Sequence, residues 1–121
     1  MADTIELRPI GRVHAGGAGG ASEIKVYEQF ADGLEGVETL EHLWVLYWLH
    51  ELAPDRRQIL RAHPRGDRSR PEQGVFSLHS PMRPNPIAIT RVKLRARRGD
   101  RLTVEGLDAR DGSPVLDIKS G

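Results

Sequence analysis

The residues best suited to chemistry cluster in the segment His79–Thr90, HSPMRPNPIAIT, where Pro81, Pro84 and Pro86 fall within six positions. Each proline holds φ near about −65°, removes an N–H donor and pushes its predecessor towards extended geometry. The backbone is therefore stiff, with little freedom left to lose on binding. Ser80, Met82, Arg83 and Asn85 lie between the prolines and display polar and polarisable groups from a preset rim. That combination reads as a ligand site; the plainer alternative is a rigid loop closing one end of a fold. A second segment, Asp111–Lys119, DGSPVLDIK, begins with a turn and runs into an extended stretch that sets Asp117 and Lys119 on one strand face. A carboxylate and an ammonium so placed could pair with each other or grip a zwitterionic ligand. A third, EHLWVLYWLH at Glu41–His50, frames Trp44 and Trp48 between His42 and His50. These tryptophans read first as core residues, and second as a stacking surface for bases. The histidines at 14, 42, 50, 63 and 79 show no metal-binding spacing, and no metal is expected.

Charge is unevenly spread. Residues 1–55 carry three basic and ten acidic side chains, and residues 56–101 carry thirteen basic and three acidic ones. Only Lys25, Lys93 and Lys119 are lysines, so the basic block is arginine apart from Lys93, and the planar fork of arginine suits phosphate. Such a block is a candidate nucleic-acid footprint, or else a solvated surface balanced by the acidic first part.

The elements that must position these groups read mostly as strands. Thr4–His14, with Pro9 and Gly11, is an edge or bulged strand. Glu23–Glu28 alternates polar and apolar residues, as a half-buried strand does. Phe30–Val37 reads as a short helical turn, and His42–His50 as a strand buried on both faces or else a buried helix. Gln58–His63, Gly74–His79, Pro86–Arg97, Arg101–Leu107 and Pro114–Lys119 complete the set, with turns at Arg98-Gly99-Asp100 and Asp111-Gly112. The Gly-rich stretch Ala15–Ala21 reads as a loop. Many short strands and little helix predict an all-β, mostly antiparallel sheet closed into a small barrel. A βαβ dinucleotide-binding unit is excluded by the missing alternation of strand and helix.

At 121 residues the chain is expected to form a single domain over 1–121 with no C-terminal accessory domain. No apolar run approaches the roughly 20 residues of a membrane helix, and no secretion signal opens the chain, so neither membrane nor export is expected. With no cysteine, disulfides and thiolate chemistry are excluded, which suits a cytoplasmic setting.

GRVHAG at Gly11–Gly16, EHLWVLYWLH at Glu41–His50, GVFSLHSPMRPNPIAIT at Gly74–Thr90 and DGSPVLDIK at Asp111–Lys119 occur in this order along most of the chain. In these motifs it resembles the TrmO/YaeB-like family of S-adenosyl-L-methionine (SAM)-dependent tRNA methyltransferases. The resemblance implies a small antiparallel β-barrel, a homodimer with SAM near the subunit interface, and methylation of N6 in threonylcarbamoyladenosine beside the anticodon. It implies cofactor contacts at His79, Ser80, Arg83 and Asn85, with Asp117 and Lys119 lining the same pocket. Where the family commonly reads TRSP, this chain has Leu78-His79-Ser80-Pro81, and Ala88 replaces a frequent glycine.

The chemistry implied is in-line transfer of the SAM methyl group to nitrogen, with Asp117 or His79 accepting the displaced proton. Arg56, Arg57, Arg61, Arg65, Arg68 and Arg70 are the expected phosphate contacts to tRNA. The alternatives are methylation of a small molecule or another RNA, and a non-catalytic SAM-binding sensor.

Overall fold

Alternation of apolar and polar residues is what closes the sheet. In the strand Ala21–Val26 (β2), Ser22, Ile24 and Val26 point inward, and in Arg101–Glu105 (β7) Leu102 and Val104 do the same. The computed structural model describes residues 3–17 and 20–121. Of the Ala15–Ala21 loop, Ala18 and Gly19 lie outside the described residues. Two compact units are present, one made of Met1–Tyr47 with Ile89–Gly121, the other of Trp48–Ala88.

The first unit carries the sheet. Six strands form a closed antiparallel barrel in the spatial order β1 (Gly11–His14), β2, β7, β6 (Ile87–Arg98), β3 (His42–Trp48) and β8 (Pro114–Ser120), returning to β1. Closure removes the exposed edges an open sheet of these strands would carry. Val13 faces Ile24, and Ile24 faces Leu102, so three fully buried side chains form one cross-strand row inside. Leu43, Val45 and Tyr47 enter the same interior from β3. The Tyr47 hydroxyl donates to the Asp108 carbonyl at 2.6 Å, and burial pushes its pKa above the ordinary tyrosine value.

Gly11 is required by a close approach. A Cβ there would lie 2.3 Å from the Lys25 carbonyl oxygen, inside backbone that cannot give way. Gly11→Ala should therefore splay β1 from β2 and lower stability by about 1–3 kcal/mol. A denaturant midpoint equal to wild type would show that β1 does not pack so tightly.

The β6–β7 hairpin turns through Gly99-Asp100 as the sequence suggests, with φ of +61° at Gly99 alone, the arrangement of a type II′ turn. Asp100 accepts from the Lys25 ammonium, and that hydrogen bond holds its carboxyl below the usual aspartate value.

Three strand expectations need correction. The strand in the first segment begins only at Gly11, because Pro9 has no N–H to offer a ladder; Ile10 just before it donates to the Val115 carbonyl at 2.7 Å and accepts from Tyr27 N–H at 2.8 Å, while Ile5 and Leu7 are exposed. Strand β3 is not buried on both faces: Trp44 and Trp48 point away from the interior that Leu43, Val45 and Tyr47 fill, and Trp44 is 37% exposed. A six-stranded barrel has room inside for one face of each strand only. The third correction is in the second unit. There β4 (Arg61–Ala62) pairs with β5 (Gln73–Gly74) over two residues each, and Val75–Ser77 turns into a 3-10 helix instead of continuing as strand. The Ser77 hydroxyl donates to the Gly74 carbonyl at 2.7 Å and closes that turn. Other helical content among the described residues is also short and 3-10, including Glu28–Leu34 where the sequence predicts a helical turn.

Candidate functional site

The proline loop belongs to the second unit and is held from several sides. The Leu49 N–H donates to the Pro86 carbonyl at 2.9 Å, and Arg57 Nε donates to the Pro84 carbonyl at 2.7 Å. Met82 N–H donates to the Ser80 hydroxyl at 3.2 Å. The Arg83 guanidinium reaches back to the carbonyls of Val75 and Leu78, tying the loop to the preceding 3-10 turn. Its Nε–H is buried and has no partner among the described residues. Asn85 is exposed, and its carbonyl accepts from Ile87 N–H at 2.7 Å.

A second loop, residues 63–72, joins β4 to β5 and is braced by its own bonds. Gly66 N–H donates to His63 O, Asp67 N–H to Pro64 O and Arg70 N–H to Asp67 O. Asp67 accepts from both the backbone and the hydroxyl of Ser69, which holds its carboxyl below the ordinary value. His63 Nδ1 lies 2.7 Å from the Arg70 carbonyl and closes the base of the loop. Arg65 adopts a left-handed backbone, φ 53°, the only non-glycine residue to do so among those described. An ordered loop therefore presents Arg65, Arg68 and Arg70, and none of the three has a carboxylate partner among the described residues.

These two loops wall one cleft of about 960 Å³ within the second unit. His79, Ser80, Pro81 and Met82 line one part of it, and Arg61, Arg65, Arg68 and Arg70 another. His63, Glu72, Gln73 and Ser77 also line it, and sequence reasoning missed them. The available signal was positional: His63 and Glu72 bracket the arginine run, and Glu72 lies 3.9 Å from His63 Nε2 and 4.0 Å from Arg61 Nε.

The basic block resolves into different kinds of residue. On the barrel, Arg97 pairs with Glu38 at 2.6 Å, Arg101 with Glu23 at 2.5 Å, and Arg95 with Glu105, so these three are neutralised locally, whereas Arg91, Lys93 and Arg98 of β6 are exposed. In the second unit, Arg57 lies over the Trp48 ring, 5.2 Å from its centroid, as well as holding Pro84. Exposed Arg56 approaches the Met82 sulfur at 3.5 Å. Asp117 and Lys119 sit on β8 in the first unit, both exposed, with Nζ to Oδ2 at 3.5 Å. They lie opposite Leu46 and Trp44 of β3, so carboxylate, ammonium and indole share one outer patch of the barrel. Among the described residues no three metal-ligating side chains converge, and no helix is long and apolar enough to cross a membrane.

A closed six-stranded antiparallel barrel, with proline-rich and arginine-rich loops outside the strands, defines a small all-β class far from the βαβ nucleotide-binding folds. The chain belongs to the tRNA-methyltransferase O N-terminal domain family, whose pattern matches residues 12–120. It is 49% identical over 98 residues to a "Probable S-adenosyl-L-methionine-binding protein" of Methanothermobacter thermautotrophicus, covering 81% of this chain and 67% of that one. It is 46% identical over 98 residues to an "S-adenosyl-L-methionine-binding protein" of Archaeoglobus fulgidus, with the same coverage of both chains. Among solved structures it is similar to TrmO from Pseudomonas aeruginosa, with a TM-score of 0.75 and 25% identity over 98% of this chain. The chain spans 56% of the length of that structure.

Proposed function

We propose that this chain is a SAM-dependent methyltransferase acting on tRNA, with N6 of threonylcarbamoyladenosine beside the anticodon as acceptor. Its proposed working form is a cytoplasmic homodimer. One observation carries the reading: a single cleft joins a proline-stiffened loop rich in neutral donors and acceptors to four arginines. The first suits a nucleoside and its hydroxyls; the second suits phosphate.

The residues present fit SAM. Its adenine, ribose and amino-acid groups call for mixed donors and acceptors, which His79 and Ser80 supply from the cleft wall and Asn85 from the same loop outside that wall. The unpartnered Nε–H of Arg83 is a donor that a carboxylate or hydroxyl would satisfy. Asp117 and Lys119, exposed on the first unit, face each other at 3.5 Å and are not among the residues that line this cleft. When bound, SAM supplies an electrophilic methyl group. The chain's own tasks are to orient donor and acceptor and to remove a proton from the acceptor nitrogen, with His79 of the cleft as base. Arg61, Arg65, Arg68 and Arg70 would hold RNA phosphates.

Calorimetry with SAM should show binding to the wild type and a loss of roughly tenfold or more for Asn85→Ala, the size expected when a buried ligand hydrogen bond goes. Methyl groups from labelled SAM should then appear in a tRNA nucleoside identified by mass spectrometry. Absence of SAM binding would sink the proposal. Tight binding with no transfer to any RNA pool would make the protein a sensor instead.

A further inference from the structure

Arg57 counts among the basic residues that sequence alone sends to phosphate, and its surroundings argue otherwise. Its Nε–H donates to the Pro84 carbonyl at 2.7 Å, its guanidinium carbon lies 5.2 Å from the centre of the Trp48 ring, and it is half-buried. Two residues on, the Pro86 carbonyl accepts from Leu49 N–H at 2.9 Å. The chain is thus pinned at Pro84 and at Pro86. Asn85 stands between the pins, exposed, and its side chain has no hydrogen-bond partner among the described residues. Proline at 84 and 86 limits φ on both sides, but ψ of Pro84 stays free unless its carbonyl is held. Arg57 supplies that hold.

We infer that Arg57 is a positioning residue that aims the Asn85 side chain for ligand binding. This rests on the proposal that Asn85 contacts SAM. A guanidinium can donate from Nε to a carbonyl while its carbon sits over an indole ring; an ammonium keeps the charge and loses that fixed spacing. Arg57→Lys therefore separates aim from charge.

The test is a double-mutant cycle of Arg57→Lys and Asn85→Ala in the full chain, read by SAM calorimetry, with tRNA affinity measured across a salt series. Arg57→Lys should weaken SAM binding by roughly tenfold, as removal of a group that orients a ligand-binding side chain does. In the Asn85→Ala background the same change should have little further effect, and the salt slope for tRNA should match wild type. A purely structural role would give additive penalties in the cycle, and a phosphate role would spare SAM binding in Arg57→Lys while Arg57→Gln lowers the salt slope by about one; either result overturns the inference. The order of the Asn85 side-chain amide, read by 15N relaxation without ligand, should fall in Arg57→Lys. An unchanged order parameter overturns the inference even if the wild type proves not to bind SAM, a result that would by itself remove only the cofactor reading.

Discussion

Replacing Arg65 and Arg68 together with glutamate is expected to lower tRNA affinity on the order of a hundredfold at moderate salt, because a phosphate that no arginine neutralises keeps its condensed counterion and the entropy of releasing it is forfeited. The slope of log affinity against log salt should shrink by about two. These two are chosen because they line the cleft and have no carboxylate partner among the described residues. The loop that carries them is braced by bonds from Asp67, His63 and the backbone, none of which uses either arginine side chain. Fold stability should consequently stay near wild type, which circular dichroism would check. Filter-binding or fluorescence titrations over a salt series decide the matter, and superimposable wild-type and mutant lines would remove this loop from the RNA interface. The matched control is Arg101→Glu on the barrel, which pairs with Glu23; it should disturb an exposed ion pair and leave the salt slope alone.

The second large effect concerns the barrel interior. Leu43→Ala removes a side chain with no exposed surface and leaves a cavity that six hydrogen-bonded strands cannot collapse to fill. A loss of about 2–5 kcal/mol is expected, a large share of the roughly 5–15 kcal/mol that holds a domain together. Denaturant midpoints measure it. Trp44→Ala, one residue along the same strand, removes a larger side chain that points outward, and should cost well under half as much. Equal losses at the two positions would restore the reading of β3 as buried on both faces.

Leu43 and Trp44 also mark where reading the chain as a string falls short. HLWVLYW is apolar at nearly every position, so alternation is invisible in it, and continuous hydrophobicity imitates two-sided burial. Only closure of the barrel distinguishes a filled interior from an outer face. Trp44 on that outer face stands beside Lys119 in the strand register, a pairing between residues 75 positions apart. Longer elements with a period or a turn signal were legible: β2, β6, β7 and β8 lie close to their expected bounds, as do the turns at Gly99 and Gly112. The two-residue strand β4 falls inside the expected Gln58–His63, but its bounds, and those of β5, were not legible, since a pattern needs more than one repeat to be seen.

The candidate site divides along the same line. Local covalent chemistry determined the stiffness of His79–Thr90, the polar groups set between its prolines, the turn before β8 and the excess of arginine over 56–101. Those properties belong to single residues or to neighbours in the chain, and survive without any fold. Tertiary structure decided which arginines are engaged and which are open. Arg57 meets a carbonyl 27 residues away, Arg97 meets a carboxylate 59 residues away, and Arg65 and Arg68 meet none among the described residues. A guanidinium has the same charge in all these places; what differs is the acceptor that folding brings within hydrogen-bond reach of it or withholds, and that is set by strand order and loop path rather than by the residue itself.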